Sequence, residues 1–220
     1  MPAYVTGTTA INIDTSNKLS AALPVYLVLV VGLALILLTF VFRSRLVPVT
    51  AVAGFLLTII ATLGVVVFIF QEGHLGSLFG VQEKAPVISF LPITMVAILF
   101  GLAMDYQVFL VSRMRESYVT THNPAGAVMS GFGAAARVVT AAAIIMIIVF
   151  DSFIFGGQPA IKSIGLALAF GVLADAFLVR MTLVPALVKL LGHAAWNLPG
   201  PVDRLMPNLD IEGERLTKEP

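Results

Sequence analysis

Four ionisable side chains fall inside long apolar runs of this 220-residue chain: Asp105, Asp151, Lys162 and Asp175. A charge within a lipid core costs several kcal/mol, on the order of 2.5–3.5 for Asp or Lys at a helix centre, so each requires a partner or a task. Lys162 and Asp151 stand near the ends of their runs, where a long or hydrated side chain reaches the interface. Asp105 does not. It precedes Arg113 by eight residues, about 12 Å along a helix axis, and Ala97 and Gly101 lie four and eight residues before it on the same helical face. Such a small-residue stripe admits a close neighbouring helix, which is expected to turn Asp105 into the bundle and away from lipid. Tyr106 follows with a hydroxyl able to donate to a carboxylate. A desolvated carboxyl so placed can load and unload a proton near neutrality. Asp175 sits in a like pattern, Ala167, Gly171 and Asp175. Arg180, five residues on and about 140° around an α-helix, is a poor partner for it. Arg137, at the end of a neighbouring span, is an alternative partner that would serve folding. Ser112 shares the Asp105 face seven residues further on and extends a polar path.

The elements that must carry these groups are helices in a bilayer. Hydrophobic residues make up 59% of the chain and charged ones 11%, against about 25% charged in a soluble domain. Runs 24–42, 47–70, 88–111, 138–155 and 161–184 each approach or exceed the roughly 20 residues needed to cross a membrane. Helices are the expected form, since a lone segment must satisfy its backbone internally. The reading is therefore an all-α integral membrane protein with a polar leader (1–23), a five-helix domain (24–191) and a tail (192–220). The first span follows a long polar stretch without a basic start, so it is not a cleaved signal. Loop 71–87, with Gly73, Gly76 and Gly80, is expected to be irregular, segment 125–137 to lie along the interface, and Trp196 to anchor there.

Charge sets the direction. Arg43, Arg45, Arg113, Arg115, Arg137, Arg180, Lys189, Arg204, Arg215 and Lys218 fall on one side, and only Lys18, Lys84 and Lys162 on the other. The positive-inside rule places the N-terminus outside and the C-terminus in the cytoplasm. A net charge of +1 gives no nucleic-acid signal. With no cysteine, and with His74, His122 and His193 far apart, neither a metal site nor a cofactor is expected.

The stretch Gly101-Leu-Ala-Met-Asp105-Tyr106-Gln-Val-Phe-Leu-Val-Ser112-Arg113-Met-Arg115-Glu116 resembles the Asp-Tyr helix of the MMPL transporters, within the resistance-nodulation-division superfamily. Gly133-Ala-Ala-Ala-Arg137-Val-Val-Thr140, Asp175-Ala-Phe-Leu-Val-Arg180-Met-Thr-Leu-Val-Pro185 and the tail around Trp196 and Pro207 are similar to further stretches of that family. The resemblance runs from about Thr6 to Glu214. It implies the last five helices of a two-halved exporter driven by the proton gradient, in a bacterial plasma membrane, moving lipids or other hydrophobic molecules. It also implies Asp105 and Tyr106 as one side of a proton relay whose other side comes from an N-terminal half or a complementary polypeptide. Residues 1–23 then become the end of an external domain. Two other classes fit parts of the pattern: a five-helix lipid-sensing or assembly module, and an intramembrane aspartyl protease using Asp105 and Asp175. The protease reading lacks the Gly-x-Gly-Asp segment, since Leu102, Ala103 and Met104 precede Asp105.

Overall fold

The computed structural model describes residues 7–77, 79, 87–121, 123–156 and 158–196. Lys84, His122, Arg204, Arg215, Lys218 and the rest of the tail beyond Trp196 lie outside the described residues. Helix α1 (Thr8–Phe42) is followed by α2 (Leu46–Val66), which ends in a π turn at Val67–Gln71. Then come α3 (Leu91–Thr121) and α4 (Pro124–Ser152), which closes in a 3-10 turn at Phe153–Phe155. Helix α5 (Pro159–Leu173) runs through a ten-residue π segment (Ala174–Leu183) into α6 (Val184–Leu191), and the 3-10 turn Gly192–Trp196 follows. Five of the resulting rods are long and apolar enough to cross a membrane, in agreement with the five expected spans. No strand occurs among the described residues.

The rods are longer than hydropathy alone indicates. α1 begins at Thr8, so most of the polar leader is helical and continuous with the first span, and Pro24 sits within it. Between Gly7 and Pro24 the sequence holds no Gly or Pro to stop a helix, and Gly7 itself, at φ 142°, marks the start. Segment 125–137 does not lie along the interface as a separate piece; it is the first half of α4. Asn123 accepts a hydrogen bond from the Gly126 N–H at 3.2 Å, and Pro124 opens the first turn, so a complete start signal launches α4 well before its apolar run. Asn123→Ala should lower stability by about 1 kcal/mol. A thermal unfolding curve in detergent that matched wild type would remove the cap from this account.

Two apolar clusters hold the rods together. One, towards the 71–87 loop, joins Phe55 and Ile59 of α2 to Met95 and Leu99 of α3, Ala143 of α4, and Leu166 and Val172 of α5. The other, towards the Trp196 end, joins Leu38 and Phe42 of α1 to Leu110 and Met114 of α3, Ala135 of α4, and Val184 and Val188 of α6. α3 contributes to both and packs most extensively on α4. The two helices approach so closely at Gly131 that a Cβ there would sit 2.6 Å from the Met114 Cα and 2.7 Å from the Arg113 carbonyl oxygen.

Trp196 is not an interfacial anchor. It is 8% exposed, and its ring stacks on Tyr118 of α3 with centroids 5.3 Å apart and planes 17° off parallel. Tyr118 also meets His193 Nδ1 through its hydroxyl at 3.0 Å. The Ser44 hydroxyl, in the α1–α2 turn, donates to the Ala195 carbonyl. Three sequence-distant segments therefore close on one another at this end of the bundle.

Candidate functional site in the membrane span

The site forms where α3 faces the π segment. Asp105 and Tyr106 are neighbours on α3, and successive helical residues point about 100° apart. That angle decides their surroundings. Tyr106 turns inward, is half-buried, and sets its hydroxyl 3.3 Å from Met146 Sδ of α4. Asp105 turns outward. With Ala97 and Gly101 it lies on the exposed side of α3, and a Cβ at Gly101 would meet nothing within 4 Å. Within these five helices Asp105 therefore does not point inward, and its face is left open. The inward side of α3 is already filled by Met95, Leu99, Ala103, Gln107 and Leu110, so the small-residue stripe is left facing outward.

The second stripe behaves oppositely. Ala167 is fully buried, and a Cβ at Gly171 would meet the Leu99 side chain at 2.5 Å. Ala167 and Gly171 thus let α5 pack tightly on α3, and Asp175 ends up buried at 7% exposure. The two motifs match in letters, while one packs within the bundle and the other lines its outside.

Asp175 is paired with Arg180, not with Arg137. Arg180 Nε donates to Asp175 Oδ2 at 2.5 Å, and both side chains are buried, at 3% and 10% exposure. Arg137 is exposed. The α-helical estimate of 140° between the paired residues fails because residues 174–183 wind as a π-helix, whose wider turn brings residues five apart onto the same side. The Arg180 guanidinium also lies over the Tyr106 ring, 5.8 Å from its centroid, within the range of a cation–π contact. Arg180 therefore connects the buried acid on the last rod to Tyr106 on α3. Ser112 is half-buried, seven residues below Asp105.

Sequence reasoning passed over Met146, which touches Tyr106, and several buried polar groups of the bundle. Gln107 is 2% exposed, and its Nε2 has no hydrogen-bond partner among the described residues; the same holds for Thr62 Oγ1, Asp175 Oδ1 and Arg180 Nη1. A glutamine two residues past an acid in an apolar run is a visible signal for Gln107. Met146, by contrast, is identified only by three-dimensional proximity.

Buried and half-buried ionisable groups on facing rods, in a chain whose five rods can each cross a bilayer, define a multi-pass helical membrane protein with an intramembrane polar site. The chain belongs to the MMPL family: the MMPL family model matches residues 1–208. It is 60% identical over 215 residues to the membrane protein YdfJ of Bacillus subtilis, covering 98% of this chain and 30% of that protein. It is 36% identical over 208 residues to the mycolic acid-containing lipids exporter MmpL11 of Mycolicibacterium smegmatis, covering 94% of this chain and 22% of the exporter. The trehalose monomycolate exporter MmpL3 of Mycobacterium tuberculosis is 34% identical over 210 residues, again with 94% and 22% covered. The chain thus spans less than a third of the length of each of these relatives.

Proposed function

We propose that this chain is the proton-coupling membrane segment of a transporter that exports lipids or other hydrophobic molecules using the proton gradient. Asp105 carries the proton, Tyr106 is the phenol next to it in sequence that would bond it when the two face one another, and Arg180, held by Asp175, is the fixed positive charge over the Tyr106 ring. The observation that carries the reading is the arrangement at Tyr106: one ring has the membrane carboxyl Asp105 beside it in sequence and the buried Asp175–Arg180 pair against its face. Three membrane charges around one phenol exceed what helix packing requires, and such groups mark proton pathways. The exporter names of two relatives support the same direction.

In this reading the outward stripe of Ala97, Gly101 and Asp105 receives helices of an N-terminal half or of a complementary polypeptide, which supply the other side of the relay. Neutralising Asp105 loosens its hold on those helices and lets the two halves rock. The distribution of Arg and Lys supports an external N-terminus, a cytoplasmic C-terminus, residues 1–23 as the end of an external domain and 192–220 as a cytoplasmic tail. Nothing in the site calls for a covalent step, so the proposed role is transport without catalysis.

The test is Asp105→Asn in the protein expressed from its native gene and reconstituted in liposomes carrying a pH-sensitive dye. Proton uptake under an imposed gradient should fall to the level of empty liposomes, with the protein still folded and inserted. Wild-type proton uptake by the variant would overturn the reading. It would leave the lipid-sensing or assembly module as the better account.

A further inference from the structure

The π segment has a consequence for the site that its length and position disclose. π geometry is rare, occurs mostly as single-turn insertions, and is found at functional positions; here it spans the ten residues Ala174–Leu183 between two α-helical stretches. Two side-chain contacts depend on it. Arg180 reaches Asp175, five residues back, and the Thr182 hydroxyl donates to the Phe177 carbonyl, also five residues back, at 3.0 Å. In an α-helix each of these pairs would stand about 140° apart and the contacts could not form. In this winding the Arg180 guanidinium lies over the Tyr106 ring.

The segment is also poorly locked. Asp175 Oδ1 and Arg180 Nη1 are buried without hydrogen-bond partners among the described residues, so the pair is incompletely satisfied. Pro185, in the first turn of α6, has no N–H and leaves a carbonyl of the preceding turn without a ladder donor in either winding. The backbone penalty that normally resists a change of register is reduced at that point.

We infer that Ala174–Leu183 is a register switch: its π winding holds Arg180 against Tyr106, and passage of the extra winding towards Pro185 returns the upper part to α-helix, opens the Asp175–Arg180 pair and withdraws the guanidinium from Tyr106. The inference rests on the proton-relay reading, for which it supplies the moving part. Residues over which the winding passes turn by about 100° each. Gly171 and the rest of α5 stay in place. The conformational change is thus confined to one stretch, without moving α5 relative to α3.

The chain has no cysteine, so paired cysteines can pin the register reversibly. Thr140 of α4 meets Met181 of the π segment, Oγ1 to Sδ, at 3.8 Å. In T140C/M181C, closed with a short bifunctional thiol reagent that a reductant can release, residue 181 can no longer turn. Proton flux in liposomes should fall by about tenfold or more on closure and recover on reduction, and that recovery shows the variant to be folded. The control L99C/G171C ties α3 to α5 above the π segment and should run at a rate close to wild type when closed. Full flux through closed T140C/M181C overturns the switch, and so does an equal loss in the closed control. If T140C/M181C fails to fold, dipolar-recoupling NMR between Asp Cγ and Arg Nε of wild-type protein in liposomes decides. The contact should weaken under an imposed proton gradient, and an unchanged contact overturns the proposal. Flux that survives Asp105→Asn sinks the relay reading instead, so the two failures are distinct.

Discussion

Arg180→Met should lower stability by about 3–5 kcal/mol, because it leaves the Asp175 carboxyl buried without its counter-charge. The side chain of Arg180 is 3% exposed and that of Asp175 10%, so water offers little compensation in place. The companion experiment separates folding from transport. A double variant, D175L/R180M, removes both charges and fills the space with apolar groups of comparable size. Replacing a buried ion pair in this way is often neutral or stabilising, so its unfolding midpoint in detergent should return to within about 1 kcal/mol of wild type. Proton flux should nevertheless stay low, since no positive charge remains over the Tyr106 ring. A double variant that transports normally would reduce the pair to a folding element.

Gly131→Ala is expected to have the other large effect. The added methyl would lie 2.6 Å from the Met114 Cα and 2.7 Å from both the Met114 nitrogen and the Arg113 oxygen. All three are backbone atoms, and none can move by changing a rotamer. The added atom must therefore push α3 and α4 apart along their most extensive contact. Overpacking typically costs about 1–3 kcal/mol, and collision with backbone argues for the top of that range or beyond. Gly133, two residues on, has open space where its Cβ would be. Gly133→Ala therefore serves as the matched control and should unfold like wild type. Equal midpoints for the two variants would mean that the helices yield at Gly131 more readily than the geometry indicates.

Much of this architecture was legible in the order of residues, for physical reasons. A bilayer imposes a length on every crossing segment, so five apolar runs translate into five rods. Asp105 stood out because a carboxyl in lipid is costly wherever its helix points. Direction was harder to read. The stripes ending at Asp105 and Asp175 share spacing and residue types, yet one packs inside the bundle and the other lines its outside. Small residues permit close approach without saying which neighbour approaches. The Asp175–Arg180 pairing was hidden because the five-residue separation was judged with the α-helical angle, and local sequence carries no strong marker of π winding. The start of α4 was missed through weighing hydropathy over chemistry: Asn123 and Pro124 announce one continuous helix where composition suggested a segment along the interface. Trp196 misled in the same way, since an aromatic beside a membrane span serves equally well as a stacking surface for Tyr118.

The closure at the Trp196 end bears on how the protein is made. The bond from Ser44 to the Ala195 carbonyl joins residues 151 apart in sequence. The stack of Trp196 on Tyr118 likewise brings the end of the last rod to α3. At synthesis rates of about 5–20 residues per second, the α1–α2 turn waits roughly 8–30 s for the segment that completes it. During that interval Ser44, fully buried in the folded chain, has no Ala195 carbonyl to bond. The first turn is therefore completed by the last rod, and its packing is finished only after that rod has been made.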